Sequence, residues 1–431
     1  MADDRPLNSQ TAALRARRDR LLGPAYRLFY DEPLHVVRGE GVWLTGADGE
    51  RYLDAYNNVA SVGHCHPHVV GALARQAAVL NTHTRYLSEG VLDYAERLLA
   101  TFPPEIGHVM FTCTGSEAND LALRVARTVT GGTGVIVTDW AYHGVTVALA
   151  EMSPSLGSAV RIGDHVRLVA PPDAYREPGD VGQAFAARVT AAIEDMRQSG
   201  IIPAALLVDT IFSSDGVFAE PAGFLAPAAA AMRAAGGLVI ADEVQPGFGR
   251  TGGMWGFARH GFVPDMVTMG KPMGDGHPIA GMAARPEVLA EFGRRTRYFN
   301  TFGGNPVSAA VGMAVLDVIE GEGLVANARD TGAFLAEALR ALANRHAAIG
   351  DVRGAGLFLG VELVRDRATR EPDGALASRV VNGLRRRRVL VSSCGRNGNV
   401  LKLRPPLVFG REHAEILVDA LDRALADPDG A

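Results

Sequence analysis

Lys271 has a setting unlike that of a surface lysine. In "TMGKPMGDGHPIA", Thr268 to Ala280, it sits among glycines and prolines at the end of "PDMVTMG", a run with the texture of a buried strand. Burial and neighbouring cations lower the pKa of an ammonium group, and a neutral amine in a pocket is a nucleophile toward aldehydes. The expected chemistry is an imine between Lys271 and an aldehyde cofactor.

Four more stretches close expected strands, where open parallel sheets place their ligands. In "VIADEVQPGFGRTG" two acids end a buried strand, and the two-residue strand period turns Asp242 to the crevice and Glu243 away. A carboxylate placed there holds a positively charged ring nitrogen, whereas a lone buried acid would bear an uncompensated desolvation cost. In "TCTGSEAND" Gly115 permits close backbone approach, and Ser116 opens a helix whose free N–H groups can hold a phosphate. In "DWAYHGVT" Tyr142 can lay its ring on a flat ligand, with space beside it at Gly144. In "YFNTFGGNPVSAA" Thr301 offers a hydroxyl next to two glycines.

Taken singly, these are a helix cap, a core tyrosine, a stray acid, a stray lysine and a turn. Taken together they specify pyridoxal 5'-phosphate, with the phosphate at Ser116 and Thr301, the ring on Tyr142, the nitrogen at Asp242 and the aldehyde carbon at Lys271.

Positioning such a set requires a sheet. Short apolar runs, "HVMFT", "GVIVTD", "AALLVD", "GLVIADE" and "DMVTMG", alternate with helical stretches such as "EANDLALRVART". Buried strands separated by helices imply an α/β fold with a mostly parallel sheet covered on both faces. Upstream, Ser9 to Leu22 reads as an amphipathic arm, and "HVVRGEGVWLTGADGERYLDAY" reads as an antiparallel meander turning at Asp48-Gly49. Beyond about residue 310 the pattern turns helix-rich, with strands at "GLFLGVELV" and "NVLKLR" and a last helix from Arg411 to about Ala426. The expected division is an N-terminal arm and meander over 1–60, a large cofactor domain over 61–310, and a small α+β domain over 311–431 that the N-terminal segment joins. The run Arg385 to Arg388 reads as the solvated C-terminal end of a helix, where cations suit the macrodipole.

Composition narrows the partners. A chain of 431 residues, 47% hydrophobic, can bury a large core, and its net charge of -5 gives no electrostatic case for nucleic acid or an anionic membrane. Three scattered cysteines form no disulfide framework. With no signal-peptide pattern and no long apolar run, the expected compartment is the cytoplasm. His64-Cys65-His66 makes a poor metal site, because three adjacent residues cannot easily face one ion. No G-x-G-x-x-G follows a first strand, so a nicotinamide fold is not indicated.

The order and spacing of "TGSEAND", "YHG", "ADEVQ.GFGRTG", "MGKPMG.GHP.A" and "FNTFGGNPVSA" resemble the class III aminotransferase family over about Phe29 to Leu425. Within it, "NNVASVGHCHP", "GDVRGAGLFLGVELV" and "LKLRPPL" resemble the branch holding alanine–glyoxylate aminotransferase 2 and the ethanolamine-phosphate and phosphohydroxylysine phospho-lyases. The resemblance implies a fold-type-I homodimer, and a phosphate site shared across subunits leads to the expectation of a homodimer or a dimer of dimers. It makes Lys271 the Schiff-base lysine and Asp242 the partner of the pyridinium nitrogen, with Val244 behind the ring, Gln245 near the ring oxygen and Tyr142 in front. Gly115, Ser116 and His143 belong to the same cofactor set, and Thr301 would come from the partner subunit.

Two departures bear on the substrate. Where relatives that use keto acids carry an arginine before the final Pro-Pro, this chain has Lys402, with Arg404 offset, and a lysine cannot fork a carboxylate. Ser214 stands where some relatives have a gating glutamate. The first expectation is transfer of a terminal amino group to a keto acid. The alternative is a phospho-lyase acting on an amino-alcohol phosphate, with Lys402, Arg404 and Arg27 as candidates to hold the second phosphate. A non-catalytic scaffold is disfavoured by the intact pair Lys271 and Asp242.

Overall fold

The computed structural model describes residues 9–430. Its centre is a seven-stranded sheet in the order His108–Thr112, Ala280–Ala284, Met266–Met269, Leu238–Asp242, Pro203–Asp209, Gly134–Thr138, Val166–Val169. Four of the six pairings are parallel. The strands are rich in Val, Ile, Leu and Ala, and most are buried on both faces, as a sheet between helix layers requires. The helix Gly115–Thr130 packs its Leu121, Leu123 and Val125 side on one face. Val181–Gln198 and Ala226–Ala234 cover the other with Phe185, Val189 and Met232.

Two strands of this sheet differ from the sequence reading. Ala280–Ala284, "AGMAA", runs antiparallel between His108–Thr112 and Met266–Met269. Alanine and glycine have little strand preference, and burial between neighbours decides the conformation instead. Val166–Val169 adds an edge strand.

The meander forms as expected, with strands Val36–Glu40, Trp43–Gly46 and Arg51–Asp54, and Val389–Leu390 extends it in parallel to Leu53 and Asp54. A third sheet holds Ile349–Ala355, Phe358–Asp366, Val400–Leu403 and Ser392–Cys394. In it Lys402 pairs with Gly360 and Ser392. The last helix spans Arg411–Ala426.

Two surface expectations need correction. The helix Ser9–Leu22 forms, but Leu14, Leu21 and Leu22 are exposed, so it buries no apolar stripe. The arginine run does end a helix, Gly374–Arg386, yet it is bonded and not merely solvated. Arg385 pairs with Glu32 at 2.6 Å, Arg388 pairs with Glu50 at 2.7 Å, and Arg386 and Arg387 donate to backbone carbonyls of residues 427–430. Among the described residues, no helix is long and apolar enough to cross a membrane.

Candidate active site

Strand register builds the floor of the site. Asp209 pairs with Asp242, and Asp242 with Thr268, so three polar residues form one row at the carboxyl edge of adjacent parallel strands. The strand Met266–Met269 then ends at Gly270, and Lys271 opens a short 3-10 turn through Lys271–Gly274. This places the lysine just beyond the row.

The two acids of "ADEV" part as the strand period requires. Glu243 turns away and accepts hydrogen bonds from Thr210 Oγ1 at 2.7 Å and from the amides of Gly256 at 2.7 Å and Phe257 at 2.8 Å. Burial pushes its carboxyl up to about 7. Asp242 faces the cavity, and its Oδ2 accepts from Asn119 Nδ2 and from His143 Nδ1, both at 2.8 Å. Its Oδ1 accepts from the amide of Val244 at 3.1 Å. Asn119 in turn donates to the carbonyl of His143 at 2.9 Å and accepts from Thr268 Oγ1 at 2.6 Å.

The helix Gly115–Thr130 begins with a capping box in which Thr114 Oγ1 accepts from the amide of Glu117, and Glu117 Oε2 accepts from the amide of Thr114, both at 3.1 Å. The cap is therefore Thr114, and Ser116 lies inside the first turn, where its Oγ accepts from the amide of Val145 at 3.2 Å. The amides of Gly115 and Ser116 have no intrahelical partner, so this end is able to hold an anion. Close approach explains two glycines. A Cβ on Gly115 would lie 2.9 Å from Val244 Cγ2. Gly144, at φ +147°, would put one 2.7 Å from Ser116 Oγ and 3.0 Å from Ser116 Cα.

Gly115, Ser116, Tyr142, His143, Asp242, Val244, Gln245 and Lys271 all line one cavity of about 200 Å³. Asn119, Asp209 and Thr114 also line it. Burial lowers the Lys271 ammonium below its ordinary value, Arg404 adds to this, and Asp242 and Asp209 oppose it. Burial and then Asp242 push the Tyr142 phenol up, keeping it protonated. His143 reaches the site through its contact with the Asp242 carboxylate.

Thr301 is not brought to this cavity within the chain; it is exposed on the loop after Asn300. Arg404 lies behind the wall, donating to Gln245 Oε1 and to the carbonyl of Tyr56 at 3.1 Å, with its guanidinium 4.5 Å from the Tyr56 ring centre. Lys402 is buried, with Nζ 5.5 Å from the ring centre of Phe358 and no carboxylate partner among the described residues. Burial, then Arg404, lower its ammonium to about 7. Arg27 is exposed and does not line the cavity. His64 pairs with Asp54 at 2.7 Å and His66 with Glu322 at 3.0 Å, while Cys65 is exposed.

A helix N-terminus, a buried acid with three hydrogen-bond donors and an amine whose pKa burial lowers, around one small cavity, suit a phosphorylated, cationic aromatic aldehyde. Pyridoxal 5'-phosphate fits this donor set. Asn119, Asp209 and Thr268 are absent from the sequence-derived set. The end position of Asp209 in "AALLVD", which matches that of Asp242, was a usable signal. For Asn119 the signal was weaker, lying in its place one helical turn past Ser116.

The family model described as aminotransferase class-III matches residues 29–425. An alanine–glyoxylate aminotransferase 2-like protein of Drosophila melanogaster is 42% identical over 423 residues, covering 94% of this chain and 85% of the fly protein. Ethanolamine-phosphate phospho-lyase homolog 1 of Caenorhabditis elegans is 38% identical over 448 residues, covering 98% and 95%. Among solved structures, a phospholyase from Arthrobacter in complex with phosphoethanolamine superposes with a TM-score of 0.93 at 47% identity, covering 96% of this chain and 99% of that one.

Proposed function

The chain belongs to the class III aminotransferase family, whose members depend on pyridoxal 5'-phosphate, and from that premise we propose that it eliminates phosphate from an amino-alcohol phosphate such as phosphoethanolamine. The observation that carries this reading is a pair of buried cations, Lys402 and Arg404, that lie near enough to act on the charge of Lys271 although neither lines its cavity. Lys402 is a buried cation without a carboxylate partner, and Arg404, the guanidinium nearest to it in sequence, is already bonded to Gln245 and Tyr56. A keto-acid carboxylate is best held by a free planar fork, whereas a tetrahedral phosphate accepts a point charge. The similarity to a phospholyase solved with phosphoethanolamine supports the same choice.

The cofactor supplies an aldehyde that condenses with amines and a ring that withdraws electrons from the amine-bearing carbon. Lys271 takes the proton from that carbon, its lowered pKa suiting a base. Asp242, fixed by Asn119, His143 and the Val244 amide, would hold the proton on the ring nitrogen. Gly115 and Ser116 would hold the cofactor phosphate, Tyr142 and Val244 would flank the ring, and Gln245 would meet its oxygen. We further propose a homodimer or dimer of dimers in which Thr301 completes the partner's phosphate site. Exposed Leu87, Phe299 and Phe302, in and near the Thr301 loop, are apolar surface suited to such an interface.

Transfer of a terminal amino group to a keto acid is the second reading, favoured by the family and by the Drosophila relative. Incubation with phosphoethanolamine and no keto acid separates the two. Inorganic phosphate and ammonia released in equal amounts support elimination. No phosphate, together with amino transfer from ω-amines to pyruvate, glyoxylate or 2-oxoglutarate, supports transamination.

A further inference from the structure

A second cavity, of about 180 Å³, lies between the third sheet and the carboxyl ends of the strands Gly134–Thr138, Val166–Val169 and Pro203–Asp209. It shares no lining residue with the cavity at Lys271. Four carboxyl groups line it, on Asp139, Asp173, Asp215 and Glu362, against three guanidinium groups, on Arg176, Arg353 and Arg396. Each arginine is committed. Arg396 pairs with Asp139 at 2.8 Å, and Arg176 pairs with Asp173 at 3.0 Å and with Glu362. Arg353 pairs with Glu362 at 2.7 Å and with Asp351, which is outside the lining, at 2.9 Å. Among the described residues these pairs account for every charge on the wall except that of Asp215.

Asp215 is 9% exposed. Its Oδ2 accepts from Thr138 Oγ1 at 3.0 Å, but its Oδ1 has no hydrogen-bond partner among the described residues. A buried carboxylate oxygen left in this way costs free energy until a donor reaches it. Burial pushes the carboxyl up to about 7, with Asp209 and Asp139 adding to this and Thr138 and His143 opposing it. The donor that fits is a cation, since the acid it meets is unpaired. A divalent metal does not fit, because it needs several oxygen ligands and the other acids here are held by arginines. Pro171 and Val400 supply apolar wall, and the rings of Trp140 and Phe218 already carry Arg396 and Arg353 at 5.5 and 4.7 Å. The aromatic groups are therefore not arranged as a cage for a quaternary ammonium. One free carboxylate oxygen beside apolar surface suits a short alkyl chain ending in an ammonium group.

We propose that this cavity is a second amine site, separate from the catalytic cavity, in which Asp215 Oδ1 accepts a charge-assisted hydrogen bond from a short primary alkylammonium ion. Its position gives the site a means of acting on catalysis. Asp215 stands on the loop that leaves Asp209, a residue of the catalytic cavity. That loop is tied to the third sheet and the turn after it, because the carbonyl of Ser214 accepts from the amide of Gly395 at 3.1 Å and the carbonyl of Gly216 accepts from Arg353 Nη2 at 2.7 Å. An amine held at Asp215 braces the same loop. Elimination and transamination are equally compatible with such a site.

The test is calorimetric titration at pH 8 of the holoenzyme after borohydride reduction, which leaves no cofactor aldehyde to capture amines. The probe is ethylammonium chloride, with sodium chloride at equal ionic strength as the blank and tetramethylammonium chloride as a cation without an N–H donor. The wild-type protein should bind ethylammonium with a Kd on the order of millimolar, as a ligand of so few heavy atoms allows. Asp215→Asn keeps an acceptor for Thr138 but carries no charge, and it should bind about ten- to a hundredfold more weakly. Tetramethylammonium should be as weak on the wild-type protein. Equal affinity in Asp215→Asn, equal affinity for tetramethylammonium, or heat no greater than the blank would overturn the assignment. If Asp215→Asn does not fold, wild-type crystals soaked in ethylammonium decide: an amine within hydrogen-bond distance of Asp215 Oδ1 supports the site, and water alone there overturns it.

Discussion

Replacing Asn119 by leucine removes a side chain that joins both ends of the proposed cofactor site. Asn119 lies one turn into the helix whose first residues, Gly115 and Ser116, are to hold phosphate, and its amide reaches Asp242, His143 and Thr268. Leucine matches the volume but abolishes a hydrogen bond to a carboxylate, a contact of about 1.5–3 kcal/mol. It also orphans the Thr268 hydroxyl and the His143 carbonyl, at about 1–2 kcal/mol each, so the folded state should lose roughly 3.5–7 kcal/mol in a denaturant melt. Asp242 would keep His143 and the Val244 amide but lose the contact that fixes its plane. Affinity for pyridoxal 5'-phosphate should fall about 10- to 100-fold, read by fluorescence titration of the apoprotein. Asn119→Asp sharpens the test. At pH 8 two adjacent carboxylates repel and binding weakens, while near pH 5 the introduced carboxyl is protonated, can donate again, and should recover affinity that leucine does not. Wild-type affinity in Asn119→Leu, or no pH-dependent recovery in Asn119→Asp, would refute this role.

Lys402→Met should change stability in the opposite direction. A lysine at about 7 in the folded protein and 10.5 unfolded withholds on the order of 4 kcal/mol from the folded state at and below pH 7. The unfolded chain holds the extra proton between those values, so wild-type stability from this residue rises from pH 7 to 10.5. The variant should therefore melt higher at pH 7 and equally at pH 11, and a lower melting point at pH 7 would contradict the burial argument. Gly144→Ala strains a left-handed residue and drives a methyl toward Ser116 Oγ. It should weaken cofactor binding by about tenfold or more and lower the melting temperature by several degrees, and unchanged values would deny the close approach. Thr301→Ala, although outside the cavity of its own chain, should weaken cofactor binding in the dimer, whereas unaltered affinity would remove Thr301 from the shared phosphate site.

Much of the site could be read because strand geometry is local. The period of two separates Asp242 from Glu243, and the ends of apolar runs place Asp242 and Lys271 at one edge. The structure adds what register and tertiary packing determine. Asp209 joins Asp242 only through strand pairing, and Asn119 meets Thr268 only because its helix packs on the sheet. Gln245 occupies Arg404 through a contact between residues 159 positions apart in sequence, which no local pattern encodes. The strand Ala280–Ala284 leaves no mark in the sequence because its residues have no strand character of their own, and the helical spacing of Ser9–Leu22 gives no buried stripe because its leucines are exposed.

Reduction of the native holoprotein with borohydride, followed by peptide mass spectrometry, tests the proposed covalent site directly. The chain offers two lysines. A pyridoxyl adduct on the peptide containing Lys271, and none on the one containing Lys402, is the expected result. An adduct at Lys402, or none on either peptide, would contradict the placement of the cofactor and the roles built on it.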